Sequence, residues 1–168
     1  MKPLRNANVQ IGTAWLLLKF VGYGIFFVKS GVIDIVEYIL DGKDNSIIIS
    51  DIKIFHEDSE FPVNTLCRVS VHSGMFKGEV EFDLDIKCLA EFSKKLIMMY
   101  ETLEGEALLK ETYGFSYIKI ISSGNGHFNI TGNLFLSYPR NLLEFEFDID
   151  QTMLKDFAYS LYNDFMKY

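Results

Sequence analysis

A chain of 168 residues with 16 Lys and Arg against 23 Asp and Glu carries a formal net charge of -7, and 49% of it is hydrophobic and 15% aromatic. That is enough apolar material for one buried core, which argues against disorder, while the acidic balance argues against binding nucleic acid through clustered Lys and Arg. Cys67 and Cys88 are the only cysteines, too few for a disulfide framework and too isolated for a zinc cluster, so the chain reads as a reduced, intracellular protein with both thiols buried.

The first apolar run, Ile11 to Val28, is interrupted by Lys19 and flanked by Lys2, Arg5 and Lys29. A bilayer-spanning helix takes about 20 apolar residues and tolerates a central lysine poorly. Three readings compete for residues 11–28: a membrane association, a helix or strand pair packed on the body, or an extension the domain does not need. No small-x-small cleavage site follows, so a secretory signal fits worse. The polar, turn-forming stretch Asp41 to Ser46 then marks a boundary, giving a segment 1–44 and a domain 45–168.

From Ile47 onward the periodicity sharpens. Ile48, Ile52 and Ile54 share one side of a candidate strand, and Cys67, Val69 and Val71 share one side of the next, with Arg68, Ser70 and His72 opposite. After a hairpin at Ser73-Gly74, Phe76, Gly78, Val80, Phe82 and Leu84 alternate with Lys77, Glu79, Glu81, Asp83 and Asp85, the pattern of a half-buried antiparallel strand. Asp85 then opens a helix over about residues 86–104, whose stripe is Leu89, Phe92, Leu96, Met99 and Leu103, with Gly105 as its stop. A short strand near Ala107-Leu108-Leu109 and another from Tyr117 to Ile121 lead through Ser122 to Gly126 into Phe128, Ile130, Gly132 and Leu134. Tyr138 to Asn141 turns again, into Leu143, Phe145, Phe147 and Ile149 alternating with Glu144, Glu146 and Asp148. A closing helix over about residues 151–166 carries Leu154, Phe157, Leu161 and Phe165. Strands, helix, strands, helix without βαβ alternation predict an α+β fold: a curved antiparallel sheet with both helices packed on one face.

The string Asp148-Ile149-Asp150-Gln151-Thr152 after an apolar strand has the form of the nucleophile loop of haloacid-dehalogenase-type phosphotransferases. That chemistry also needs a second acidic pair for magnesium and a phosphate-binding lysine from later strands, yet only 16 residues follow Thr152. Asp150 as a helix cap is the simpler reading. Gly124-Asn125-Gly126 joins two strands without a following helix, so it is a hairpin turn and no phosphate loop. His56, His72 and His127 have no metal-binding or triad spacing and read as surface residues. No cofactor, metal or small-molecule substrate is expected. The outward rows Glu79, Glu81, Asp83 and Glu144, Glu146, Asp148 remain: solvated faces, or an electrostatic docking surface for a basic partner.

Four stretches together carry a family resemblance. They are Gly74 to Gly78, the helix Leu89 to Leu103 with Glu104-Gly105-Glu106-Ala107 after it, Gly126 to Gly132, and Leu143 to Thr152. In that order, over roughly residues 66–165, the chain resembles the WapI-type immunity proteins. The resemblance implies a bacterial cytoplasmic, non-catalytic protein that binds and blocks the C-terminal domain of a polymorphic toxin, often a nuclease. Its acidic surface then suits a basic partner. The rivals are a small metal-dependent phosphatase-like enzyme using Asp148 and Asp150, and a membrane-anchored accessory protein using residues 11–28.

Overall fold

The structure, a computed structural model, describes residues 8–11, 14–20, 25–29, 36–55 and 62–168, the first three stretches by their backbone. The chain divides into two compact units, Met1–Val36 and Glu37–Tyr168. In the first, β1 (Asn8–Ile11), β2 (Ala14–Phe20) and β3 (Ile25–Lys29) form an antiparallel sheet in that order, Val9 opposite Leu16 and Leu17 opposite Val28. The spanning helix considered for residues 11–28 is therefore replaced by strands wherever this run is described. Its wealth of aromatic and β-branched residues, Trp15, Phe20, Ile25, Phe26, Phe27 and Val28, favours extended backbone. No helix among the described residues is long and apolar enough to cross a membrane.

The second unit runs β4 (Tyr38–Gly42), β5 (Asn45–Ile54), β6 (Thr65–Ser73), β7 (Phe76–Leu84), α1 (Ile86–Thr102), β8 (Glu106–Lys110), β9 (Tyr117–Gly124), β10 (His127–Leu136), β11 (Asn141–Asp150), α2 (Gln151–Phe165). Asp41 to Ser46, which the sequence offers as a boundary, forms the turn joining β4 to β5 inside this unit. Polar turn formers serve hairpins and linkers alike; here Lys43 takes a left-handed φ of 44°. The fold is α+β, with antiparallel pairing throughout, but the strands divide into two four-stranded sheets, β4-β5-β6-β7 and β11-β10-β9-β8. β7 does not pair with the second sheet. It crosses over it: a Cβ on Gly78 would lie 2.7 Å from Leu143 and 3.2 Å from Leu134. The helices pack on each other, α1 reaching β8 and α2 reaching β4 and β11, so the pair bridges the sheets.

One core fills the space between, built from the inward residues of both sheets and one stripe of each helix. Val80, Phe82 and Leu84 of β7 face Phe128, Ile130 and Leu134 of β10 and Phe145, Phe147 and Ile149 of β11 across it, with Leu89, Phe92, Leu96, Leu154, Phe157 and Leu161 from the helices. In β5 the inward residues are Ile47 and Ile49, with Ile48 on the other side. The alternation read from Ile52 and Ile54 does not carry back because the register shifts between Ser50 and Lys53, where Asp51 adopts φ 50°. Phe76, expected inward, lies beyond the sheet crossing and is 70% exposed. The left-handed cap of α1 is Leu103, not Gly105: its N–H donates to the Met99 carbonyl, and its side chain still packs on the core. Cys67 is buried, which pushes its thiol up to about 12; Cys88, expected buried, is exposed on α1.

Asn64, itself buried, knots the first sheet to α1. Its Oδ1 accepts from the Ile86 N–H at 2.8 Å and from the Thr65 hydroxyl, its Nδ2 donates to Asp85, and its backbone bonds Leu84 and Phe55. Asp85 in turn caps α1 by accepting from Lys87 N–H at 3.0 Å. Removing the amide strands a helix-start N–H in the interior, which costs about 1–3 kcal/mol. Asn64→Ala is accordingly expected to lower the unfolding free energy by that amount in denaturant titration; a change below about 0.5 kcal/mol, the range of ordinary surface substitutions, refutes the role given to Asn64.

Candidate functional site

Burial on the inward side of β7 turns Glu79, Glu81 and Asp83 outward, and burial on the inward side of β11 does the same for Glu144, Glu146 and Asp148. Because the two inward faces meet in one core, the two rows sit on opposite outer faces of the unit. They are two surfaces and not one. Their surroundings also differ.

On the first sheet, Arg68 of β6 lies opposite Glu81 and pairs with Asp51 at 2.6 Å and Glu79 at 3.3 Å. Glu79 also accepts from the Ser70 hydroxyl at 2.9 Å. Asp83 accepts from the Tyr113 N–H through its side chain and from the Thr112 N–H through its carbonyl, so it anchors the loop between β8 and β9. This row is partly neutralised and partly occupied by structural bonds. Beside it, Ser46, Ile48, Ser70, His72, Lys77 and Glu79 line an open cleft of about 380 Å³.

On the second sheet, Glu144, Glu146 and Asp148 face Asn133, Thr131 and Asn129 of β10. Asn129 donates to both Glu146 at 3.2 Å and Asp148 at 3.0 Å. Among the described residues none of the three carboxylates forms an ion pair. Lys119, one strand further in, is held by Glu106 at 2.8 Å. Like charges two residues apart on a strand stand about 7 Å from each other, a repulsion on the order of half a kcal/mol in water.

Asp150 caps α2, accepting from the N–H groups of Thr152 at 2.8 Å and Met153 at 3.4 Å and from the Thr152 hydroxyl. Two residues back, Asp148 belongs to the bond with Asn129. Among the described residues no three His, Cys, Asp or Glu side chains gather as a metal would require. Gly124 to Gly126 is the β9–β10 hairpin turn, Asn125 at φ 53° and Gly126 at φ 77°, and the Gly126 carbonyl accepts from the Gln151 N–H. His72 borders the cleft and His127 opens β10 opposite Asp150; His56 lies outside the described residues.

Two partners of the acids were within reach of sequence reasoning. Counting outward from the Ser73-Gly74 hairpin places Arg68 against Glu81, and counting from the β10–β11 turn places Asn129 against Asp148. The contacts of Asp83 with a loop thirty residues on leave no such trace.

The bonds from Thr152 and Met153 hold the Asp150 carboxyl below the ordinary carboxylate range, with His127 adding to the effect. A lowered folded value means the stabilisation is complete above the unfolded pKa and is lost as pH falls through the folded one. Asp150→Ala is thus expected to lower the melting temperature at neutral pH, with the gap to wild type narrowing as pH falls below the ordinary carboxylate range. Thermal scans across that range check it, and a gap that does not depend on pH contradicts the charged-cap reading.

No curated protein and no solved structure matches this chain. A family model, that of the immunity protein WapI-like family, matches residues 41–168 and so takes in β5 to α2 with both acidic rows. With that match over most of its length, the chain belongs to the WapI-like immunity protein family.

Proposed function

We propose that this protein neutralises a cognate polymorphic toxin in the bacterial cytoplasm by binding its C-terminal domain, and that it acts by occlusion and not by catalysis. Membership of an immunity family supports the binding role, and it is the one observation that carries the reading. An outward acidic row, either Glu79, Glu81, Asp83 on one face or Glu144, Glu146, Asp148 on the other, supplies the chemistry by which a basic partner is recognised. A formal charge of -7 speeds encounter with such a partner, and local complementarity then sets which partner stays. A nuclease toxin fits this chemistry well, since its active site must attract phosphates and is commonly electropositive. Asp150 caps α2 and Asp148 accepts from Asn129, which supports a structural role for the two aspartates over a phosphatase's.

The direct trial is co-expression of the full chain with the C-terminal domain of the toxin encoded beside it in a bacterial host. Growth is expected to recover, and the two proteins to co-purify in a fixed ratio. Loss of viability despite abundant chain sinks the immunity reading. Full protection with far less than one chain per toxin molecule sinks occlusion and returns catalysis to consideration.

A further inference from the structure

We propose that the partner docks on the outer face of the β8–β11 sheet, where an exposed apolar patch at the β10–β11 end runs directly into the acidic row of β11. The partner surface that fits is an apolar spot bordered by Lys and Arg. This proposal rests on the immunity reading and names the surface that performs it.

Strand alternation puts Leu142 on the same side of β11 as Glu144, Glu146 and Asp148. Leu142 is 56% exposed and lies opposite Phe135 of β10. Phe115, 72% exposed, packs edge-on against Phe135 with ring centroids 5.6 Å apart, and Tyr138, 91% exposed, stands in the adjoining turn. Large apolar side chains gathered in the open at one place mark an interaction surface more often than chance scatter does.

The patch is held outward by hydrogen bonds within its loop and to the neighbouring strands. Ser116, fully buried, accepts from the Phe135 N–H at 3.0 Å, and its own N–H donates to the Glu111 carboxylate at 2.9 Å. At the loop's other side, Thr112 N–H donates to the Asp83 carbonyl. Phe115 is thereby presented in a fixed position, so docking against it sacrifices little conformational freedom. Between patch and acids lies Asn133, opposite Glu144; its Oδ1 is buried and meets no donor among the described residues. Two lysines share this face: Lys119, already held by Glu106, and Lys110 on β8, the edge strand farthest from the β11 row. Arg68 and the loop contacts of Asp83 make the β7 row the poorer dock. Aromatic anchors beside unneutralised carboxylates are the arrangement by which a few residues carry most of a binding free energy while charge guides the approach.

The test titrates the full-length chain with the C-terminal domain of the adjacent-gene toxin, by calorimetry and stopped-flow, after thermal scans confirm that each variant folds. The double variant Phe115→Ser, Leu142→Ser is expected to weaken binding at least about 30-fold. Glu144→Lys with Glu146→Lys, at exposed positions, is expected to slow association about tenfold or more at low salt, and Glu81→Lys to leave both within about threefold. Wild-type binding that both double variants retain, or that Glu81→Lys abolishes, overturns the surface while leaving the immunity reading intact. A wild-type chain that does not bind overturns both. If the apolar variant breaks a dimer of the chain itself in sedimentation and leaves toxin binding unchanged, the patch is a contact between copies and the proposal falls.

Discussion

Burial of Phe145, Phe147 and Ile149 is the constraint from which the candidate surface follows. Each is nearly excluded from solvent, and they occupy every second position of β11. A slip of one residue would bring all three to the outside, at about 2 kcal/mol apiece and so on the order of 6 kcal/mol together. The repulsion within the row Glu144, Glu146, Asp148 is several-fold smaller. Apolar burial therefore dictates the register, and the acids stand in a line on the far side because the core leaves them nowhere else. Gly132 tightens the same arrangement: a Cβ there would lie 2.3 Å from the Tyr117 carbonyl and 2.5 Å from the Phe145 ring, so only glycine lets that ring approach the β10 backbone this closely.

The division into two sheets decides what those faces can do. Had the strands formed one continuous sheet, the acids of β7 and β11 would share a surface. Instead β7 crosses the second sheet at Gly78, and the helix pair closes the wedge, tied to the first sheet by the Tyr38 hydroxyl, which donates to Asp164 at 2.6 Å, and by the Asn64 amide. Burial, with the Asp164 bond second, pushes the Tyr38 hydroxyl well above its ordinary value. The result is a unit with one acidic face partly neutralised by Arg68 and another whose row forms no ion pair among the described residues.

The strand and helix positions of the body were legible because alternation and the 3.6-residue stripe are local. Asp85 and Asp150 mark both helix starts, and the inward sets of β6, β10 and β11 follow from their sequences alone. Errors arose where one residue changed the count or a distant contact intervened. A bulge at Asp51 reversed the facing of Ile48; Leu103 took the left-handed cap that Gly105 seemed suited to; the sheet crossing left Phe76 outside. Of the proposed surface, the acidic row could be read, whereas the patch could not. The exposure of Phe115 depends on Ser116 and Glu111 fixing an irregular loop, and apolar residues in a sequence are read by default as core.

Carboxyl footprinting of the full-length chain, free and bound to the toxin's C-terminal domain, tests the central claim most directly, because it reads both acidic rows in one sample. The account predicts protection of Glu144, Glu146 and Asp148 in the complex with Glu79 and Glu81 modified as before. Protection confined to β7, or unchanged modification of every carboxylate in a demonstrated complex, would contradict it.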